Sequence, residues 1–123
     1  MSGTTTSDTD GASPLATIST ALVQLHKEQF GRGPTQGRTN FAGPDTVVCV
    51  LENALLPAER AMVELGEAQR VHEQRLFMQT ATSQMFIDVV EQHLKREVRA
   101  FSSAVDPHVG VVFEVFALKP IES

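Results

Sequence analysis

The chain contains no tryptophan and no tyrosine, so the stacking box that holds many planar cofactors has no residues to build it, and no cofactor is expected. A single cysteine, Cys49, excludes an internal disulfide and points to a reducing compartment. No apolar run approaches the roughly eighteen residues of a membrane-spanning helix. The N-terminus also has neither the basic region nor the apolar region of a secretory signal. The expectation is a cytoplasmic protein with no direct membrane insertion, one that would be membrane-peripheral only through a partner. Basic residues are scarce too: 10 Lys and Arg face 15 Asp and Glu, for a net charge of −5 and a pI near 5.3. That balance argues against a surface that wraps nucleic-acid phosphates or lies flat on anionic lipid, both of which need clustered positive charge.

What is present suffices for one compact domain and is too little for two: 123 residues, 41% of them hydrophobic. Residues 1–14 are mostly Ser, Thr, Gly and Asp with almost nothing to bury, and are expected to form a disordered tail. The folded domain is expected over residues 15–120. Leu15, Ile18, Leu22 and Leu25 mark a first amphipathic helix ending near Phe30, where Gly31 and Gly33 stop it and Pro34 prevents a restart. The longest element is expected from Ala68 to Val98, a run free of Gly and Pro that would span roughly 45 Å as a helix. Its apolar positions Val71, Met78, Met85 and Val89 recur at sevens and fours, with Phe86, Val90 and Leu94 widening the stripe. The uncharged run Leu76 to Ile87 implies that the middle of this helix is covered on more than one side. Leu56-Pro57-Ala58-Glu59 opens a shorter helix to about Leu65, with Pro57 at its first position and Glu59 favouring the free amides. Leu56 supplies no side-chain acceptor, so only half a capping box is built.

Four strands complete the pattern. Thr39 to Ala42 and Thr46 to Glu52 are joined by the turn residues Gly43, Pro44 and Asp45. In the second of these strands Val47, Cys49 and Leu51 face one way and Val48 and Val50 the other. After Val98 the periodicity becomes alternating, with Phe101, Ser103 and Val105 in one row and Ala100, Ser102 and Ala104 in the other. A loop from Asp106 to Gly110 then leads into Val111 to Leu118. There Val111, Phe113, Val115 and Ala117 share one face, and Val112, Phe116 and Leu118 share the other with Glu114. The fold class implied is α+β: a four-stranded antiparallel sheet from two hairpins, in the order α-β-β-α-α-β-β, with one long helix. Apolar rows on both strand faces predict self-association as a homodimer, with Val48 and Val50 in one strand and Val112, Phe116 and Leu118 in the other as the additional rows.

Several stretches in order resemble the MpsC-like family. They are Gly31-Arg32-Gly33-Pro34, Asp45 before an apolar strand, Leu55-Leu56-Pro57-Ala58-Glu59, Gly66, Val71 with Arg75, and Asp106 before the strand Val111 to Phe116. The likeness covers roughly residues 16 to 118. That family, formerly a domain of unknown function, takes its name from a component of a bacterial sodium-translocating, membrane-potential-generating system. The resemblance therefore implies a subunit of a multi-component assembly. Where the family favours Lys after the first glycine and Thr before the proline of the second helix, this chain has Arg32, which keeps the charge, and Leu56, which weakens the cap.

The loop Gly31-Arg32-Gly33-Pro34-Thr35-Gln36-Gly37-Arg38 carries the strongest candidate chemistry. Its three glycines and two arginines could bring backbone amides and guanidinium groups onto an anion or a partner. It follows a helix and lacks the Gly-Lys-Ser/Thr ending, so it is not a P-loop. The structural reading of the same residues is a helix stop with solvated arginines. Gly31, Arg32, Gly33, Pro34 and Arg38 are thus the candidate partner contacts, with Arg70, Arg75 and Asp106 as secondary candidates. His26, His72, His93 and His108 have no metal-ligand spacing, and no metal is expected. Ser102, Ser103 and the histidines form no nucleophile elbow or Cys-His signature, so no catalytic residue is assigned. Met62, Met78, Met85 and most of the seven phenylalanines read as core.

Three functional classes follow in order. The first is a non-catalytic binding, assembly or regulatory subunit, with a cytoplasmic protein or a membrane protein as partner. Second is a small nucleic-acid module, which the acidic balance disfavours, and third an enzyme without a recognisable motif.

Overall fold

The computed structural model describes residues 13–121. Three helices and four strands succeed one another: α1 (Pro14–Phe30), β1 (Gln36–Phe41), β2 (Thr46–Glu52), α2 (Pro57–Glu64), α3 (Ala68–Leu94), β3 (Val98–Asp106) and β4 (Val111–Leu118). This is the α+β order expected from the sequence. The expected tail overruns the first helix, because Pro14 opens α1 and Ser13 caps it, its side chain accepting the Ala16 amide at 3.1 Å. The rest of that tail, residues 1–12, lies outside the described residues. Gly31 closes α1 in the left-handed region, φ 79°, with its amide donating to the Lys27 carbonyl at 2.8 Å.

α3 is shorter than the sequence suggests. It stops at Leu94, where Lys95 takes a left-handed conformation with φ 56° and caps the helix. The Glu91 carboxylate then accepts the Val98 amide at 2.8 Å, so Glu91 turns the chain into β3 and does not pair with Lys95 on the helix surface. Arg96 fixes this corner. Its guanidinium donates to Asp45 Oδ1 at 2.6 Å and to the carbonyls of Pro44 and Lys119 at 2.8 Å each, which ties the first hairpin turn to the end of the sheet. β1 likewise begins at Gln36, earlier than the expected Thr39, and takes Gly37 and Arg38 out of the loop. Their missing alternation of apolar residues hid the strand.

The sheet runs β1-β2-β4-β3 with every neighbouring pair antiparallel, so β2 and β4 join the two hairpins at its centre. α1 packs on β1 and on α3, and α3 packs on β3. Between them and the sheet lies the core: Ile18 and Leu22 from α1, Phe86 and Val90 from α3, Val47, Cys49 and Leu51 from β2, and Val112, Phe116 and Leu118 from β4. Each such side chain removed from water contributes about 1.5 to 3 kcal/mol. α2 lies against α3 and opens as the sequence implies, with the Leu56 amide donating to the Glu59 carboxylate at 2.8 Å and no side-chain cap on Leu56.

Two expectations about burial are overturned. The middle of α3 is covered on one side only, leaving Leu76, Phe77 and Met85 exposed. Phe41 and Phe113 are exposed as well, so the phenylalanines divide between core and surface. In β4, moreover, Val112, Phe116 and Leu118 are the buried row. The β2–β4 register sets Val48 opposite Val115 and Val50 opposite Phe113, which puts Val111, Phe113, Val115 and Ala117 on the free face.

Candidate functional site

Two features remain after the core is accounted for. The first is the free face of the sheet. Reading across the registered strands, Arg38, Val50, Phe113 and Ala104 form one row, and Asn40, Val48, Val115 and Ser102 the next. Val111 and Ala117 extend the apolar centre along β4. Charge sits at its corners and at the end of β2, where Glu52, paired with Gln36, shares this face with Val48 and Val50. Arg38 is exposed on β1, where Gln36, with its amide turned to face it, accepts from Nε and Nη2 at 3.1 and 3.0 Å. Asp106 stands on β3 at the opposite edge, opposite Val111. Its Oδ1 accepts the His108 amide at 3.0 Å and shapes the β3–β4 turn.

The second feature is a cavity of about 40 Å³ between α1, α3 and the β3–β4 hairpin. His26 enters from α1 and Glu114 from β4, with His26 Nε2 3.6 Å from Glu114 Oε2. Arg75 and Gln29 also line it, and Phe30, Phe86 and Phe101 form apolar walls. The His26 ring stacks on Phe30 with centroids 5.9 Å apart and meets Phe86 edge-on at 5.3 Å. Arg75 is held by Glu59 and lies 4.0 Å above the centre of the Phe30 ring. Cys49 faces Glu114 across the β2–β4 pair. Burial pushes its thiol up to about 11, the Glu114 charge adding to the rise and a Thr39 hydrogen bond opposing it. Cys49 is therefore a neutral, unreactive thiol at neutral pH.

The candidates from the sequence scatter across these features. Gly31, Arg32, Gly33, Pro34 and Arg38 do not form one cradle. Gly31 ends α1, Gly33 packs on Val23 and Lys27, Pro34 is buried, Arg32 is exposed in the loop, and Arg38 has moved onto the free sheet face. The glycines serve chain packing: a Cβ at Gly37 would meet Leu51 Cδ2 and Val23 Cγ2 at 3.0 Å. Arg70 is exposed and pairs with Glu67 at 2.8 Å within the first turn of α3. Arg75 is not a surface contact at all, being buried against Glu59. Arg38 and Asp106, by contrast, share one face. Gln29 carries no signal in the sequence, His26 shows there only as a histidine without metal-ligand spacing, and Glu59 only as a helix-start carboxylate. For Glu114 the signal was visible, a carboxylate alone in a row of buried apolar residues.

Comparison with known proteins adds one finding. A family model described as "Na+-translocating membrane potential-generating system (MpsC)" matches residues 13–120. No curated protein and no solved structure matches the chain.

Proposed function

Since this chain belongs to the MpsC family over nearly its whole length, we propose that it serves such a system as a non-catalytic binding and assembly subunit, working as a homodimer. The family description ties the chain to a sodium-translocating, membrane-potential-generating system. No helix among the described residues is long and apolar enough to cross a membrane, so on this reading the chain reaches its membrane partner from the side, through protein contacts.

The observation that carries the reading is the free sheet face, where Val48, Val50, Val111, Phe113, Val115 and Ala117 lie together with no helix over them. A second copy is the occupant that its charges fit. A two-fold axis in the interface and parallel to the strands lays β1 of one protomer over β3 of its partner. Arg38 then stands two residues, about 6.7 Å along the strand, from Asp106 of the facing copy across a sheet spacing of about 10 Å, and the same contact repeats on the other side. The arginine and aspartate side chains together span that diagonal. Burying the apolar centre opposes an association cost of about 4 to 15 kcal/mol, which makes the dimer concentration-dependent. Arg32, exposed outside this face, is left for the partner protein.

Light scattering after size exclusion tests the assembly, with twice the chain mass expected at high micromolar concentration. Arg38→Asp and Asp106→Arg should each give monomers, and an equimolar mixture of the two should recover a dimer through two contacts of opposite charge, one native and one reversed. A wild-type monomer at all concentrations overturns the dimer. Dimers unaffected by either reversal place the interface elsewhere.

A further inference from the structure

The cavity holds more unpaired polar atoms than a packed core tolerates. His26, Arg75 and Glu114 are 5%, 6% and 2% exposed. Yet both ring nitrogens of His26, Glu114 Oε1, Arg75 Nη1 and Gln29 Nε2 are buried without a hydrogen-bond partner. A buried donor or acceptor left unsatisfied is costly, so five such atoms around one space call for an occupant that pairs with most of them.

We propose that this cavity binds a short amino alcohol in its ammonium form. The nitrogen donates to Glu114 Oε1 and to a ring nitrogen of His26, and the hydroxyl oxygen accepts from Arg75 Nη1 and Gln29 Nε2.

Charge, valence and size select this class. The charged and titratable groups that face the cavity or adjoin it are His26 from α1, Glu59 from α2, His72 and Arg75 from α3, Cys49 from β2 and Glu114 from β4. Glu59 compensates Arg75 directly. Glu114 Oε2 has His26 Nε2 beside it at 3.6 Å, but Oε1 has no partner, so a positively charged donor placed at Oε1 is favoured there. A carboxylate ligand would set a second acceptor against Oε1, whereas an ammonium group brings a charged donor. A metal ion is a poorer fit, because no group of three His, Cys, Asp or Glu side chains among the described residues could hold one. An uncharged diol would meet the donors and leave Glu114 Oε1 without a charged donor. The volume of about 40 Å³ admits roughly three or four water-sized groups, the size of a two-carbon chain with a polar atom at each end. The walls of Phe30, Phe86 and Phe101 suit the methylene groups and offer ring faces to the cation.

The test is calorimetric titration of the full chain with ethanolamine hydrochloride at constant ionic strength. Ethylamine, ethylene glycol and sodium acetate serve as comparison probes, and amide chemical shifts are followed in parallel. Saturable ethanolamine binding is expected, with shifts concentrated near His26, Ser103 and Glu114. Ethylamine should bind about ten-fold more weakly for want of the hydroxyl, and Glu114→Gln should weaken ethanolamine by at least about ten-fold, the value of a charge-assisted hydrogen bond. Glycol and acetate should not bind. The wild-type probe series stands by itself if Glu114→Gln fails to fold. Equal responses to ethanolamine and ethylene glycol, shifts confined to the protein surface, or no saturable binding, with the cavity holding water alone, would overturn the assignment.

Discussion

Arg75 and Glu59 meet as a two-pronged pair, Nε donating to Oε2 at 2.8 Å and Nη2 to Oε1 at 2.6 Å, with both side chains more than nine-tenths buried. Nη2 also donates to the Ala54 carbonyl at 2.8 Å, while Glu59 accepts the Leu56 amide at the start of α2. One ion pair thus joins α2, α3 and the segment between β2 and α2, and the guanidinium rests on Phe30 at the end of α1. Removing either partner strands the other charge. Arg75→Ala and Glu59→Ala should each lower unfolding free energy by about 3 to 5 kcal/mol in urea titrations. Arg75→Lys should restore little, since an ammonium cannot reproduce the planar fork. Losses under about 1 kcal/mol, the range of an exposed pair, would show that the pair is not what joins these elements.

The residues around the first loop should separate by burial. Arg32 and Arg38 are exposed, and replacing both with Ala should change the monomer's unfolding free energy by no more than about 0.5 kcal/mol. Gly37→Ala forces a methyl group against Leu51 and Val23, where overpacking costs about 1 to 3 kcal/mol. Thermal denaturation of the two variants at low concentration compares them directly. A larger loss from the arginine pair would give those residues a structural role.

Cys49 sets an alkaline limit on stability. Its thiol is raised from 9.0 to about 11 in the fold, so the protonated form is favoured there. The resulting stability is fully present below pH 9 and is lost as pH rises through about 11. That rise is equivalent to roughly 2 to 3 kcal/mol. The chain has no tyrosine to titrate in the same range. Urea midpoints measured from pH 8 to 11 should fall more steeply for the wild type than for Cys49→Ala, and parallel curves would assign the decline to other groups.

Lys95 holds a left-handed conformation that costs an ordinary residue about 1 to 2 kcal/mol and glycine nothing comparable. Lys95→Gly should therefore raise stability by up to about 1 kcal/mol, after allowance for the greater entropy of the unfolded glycine. A loss on chemical denaturation would show that the lysine side chain contributes more than its backbone costs.

The same position shows where sequence reading stopped. The near-continuous apolar, β-branched runs Val47 to Leu51 and Val111 to Leu118, bounded by turn residues, define two strands. Which face of β4 turns outward depends on its register with β2, a pairing between distant segments that the sequence does not mark, and so the row of Val112, Phe116 and Leu118, expected to mediate self-association, is the buried one. Lys95 gave no sign of ending α3, because chain breaks are read from Gly and Pro and the corner is fixed instead by Glu91 and Arg96. Gln36, Gly37 and Arg38 carry no apolar rhythm, so the sequence marks β1 only from Thr39. In the candidate site Glu114 was legible as an anomaly in its row. His26 was not, since it occupies the apolar stripe of α1 four residues after Leu22 and acquires its meaning only when β4 arrives beside it.

Gln79 reaches from α3 to the outer strand β3 and, with its amide suitably turned, bonds both the amide and the carbonyl of Ser103 at 3.0 Å. A side chain thereby takes the place that the backbone of an adjoining strand would occupy. Growth of the sheet past β3 is blocked at that residue, where an open edge would recruit copy after copy into a ribbon. In the proposed dimer, contact through the flat of the sheet would consume both free faces at once, and association by that route would close at two.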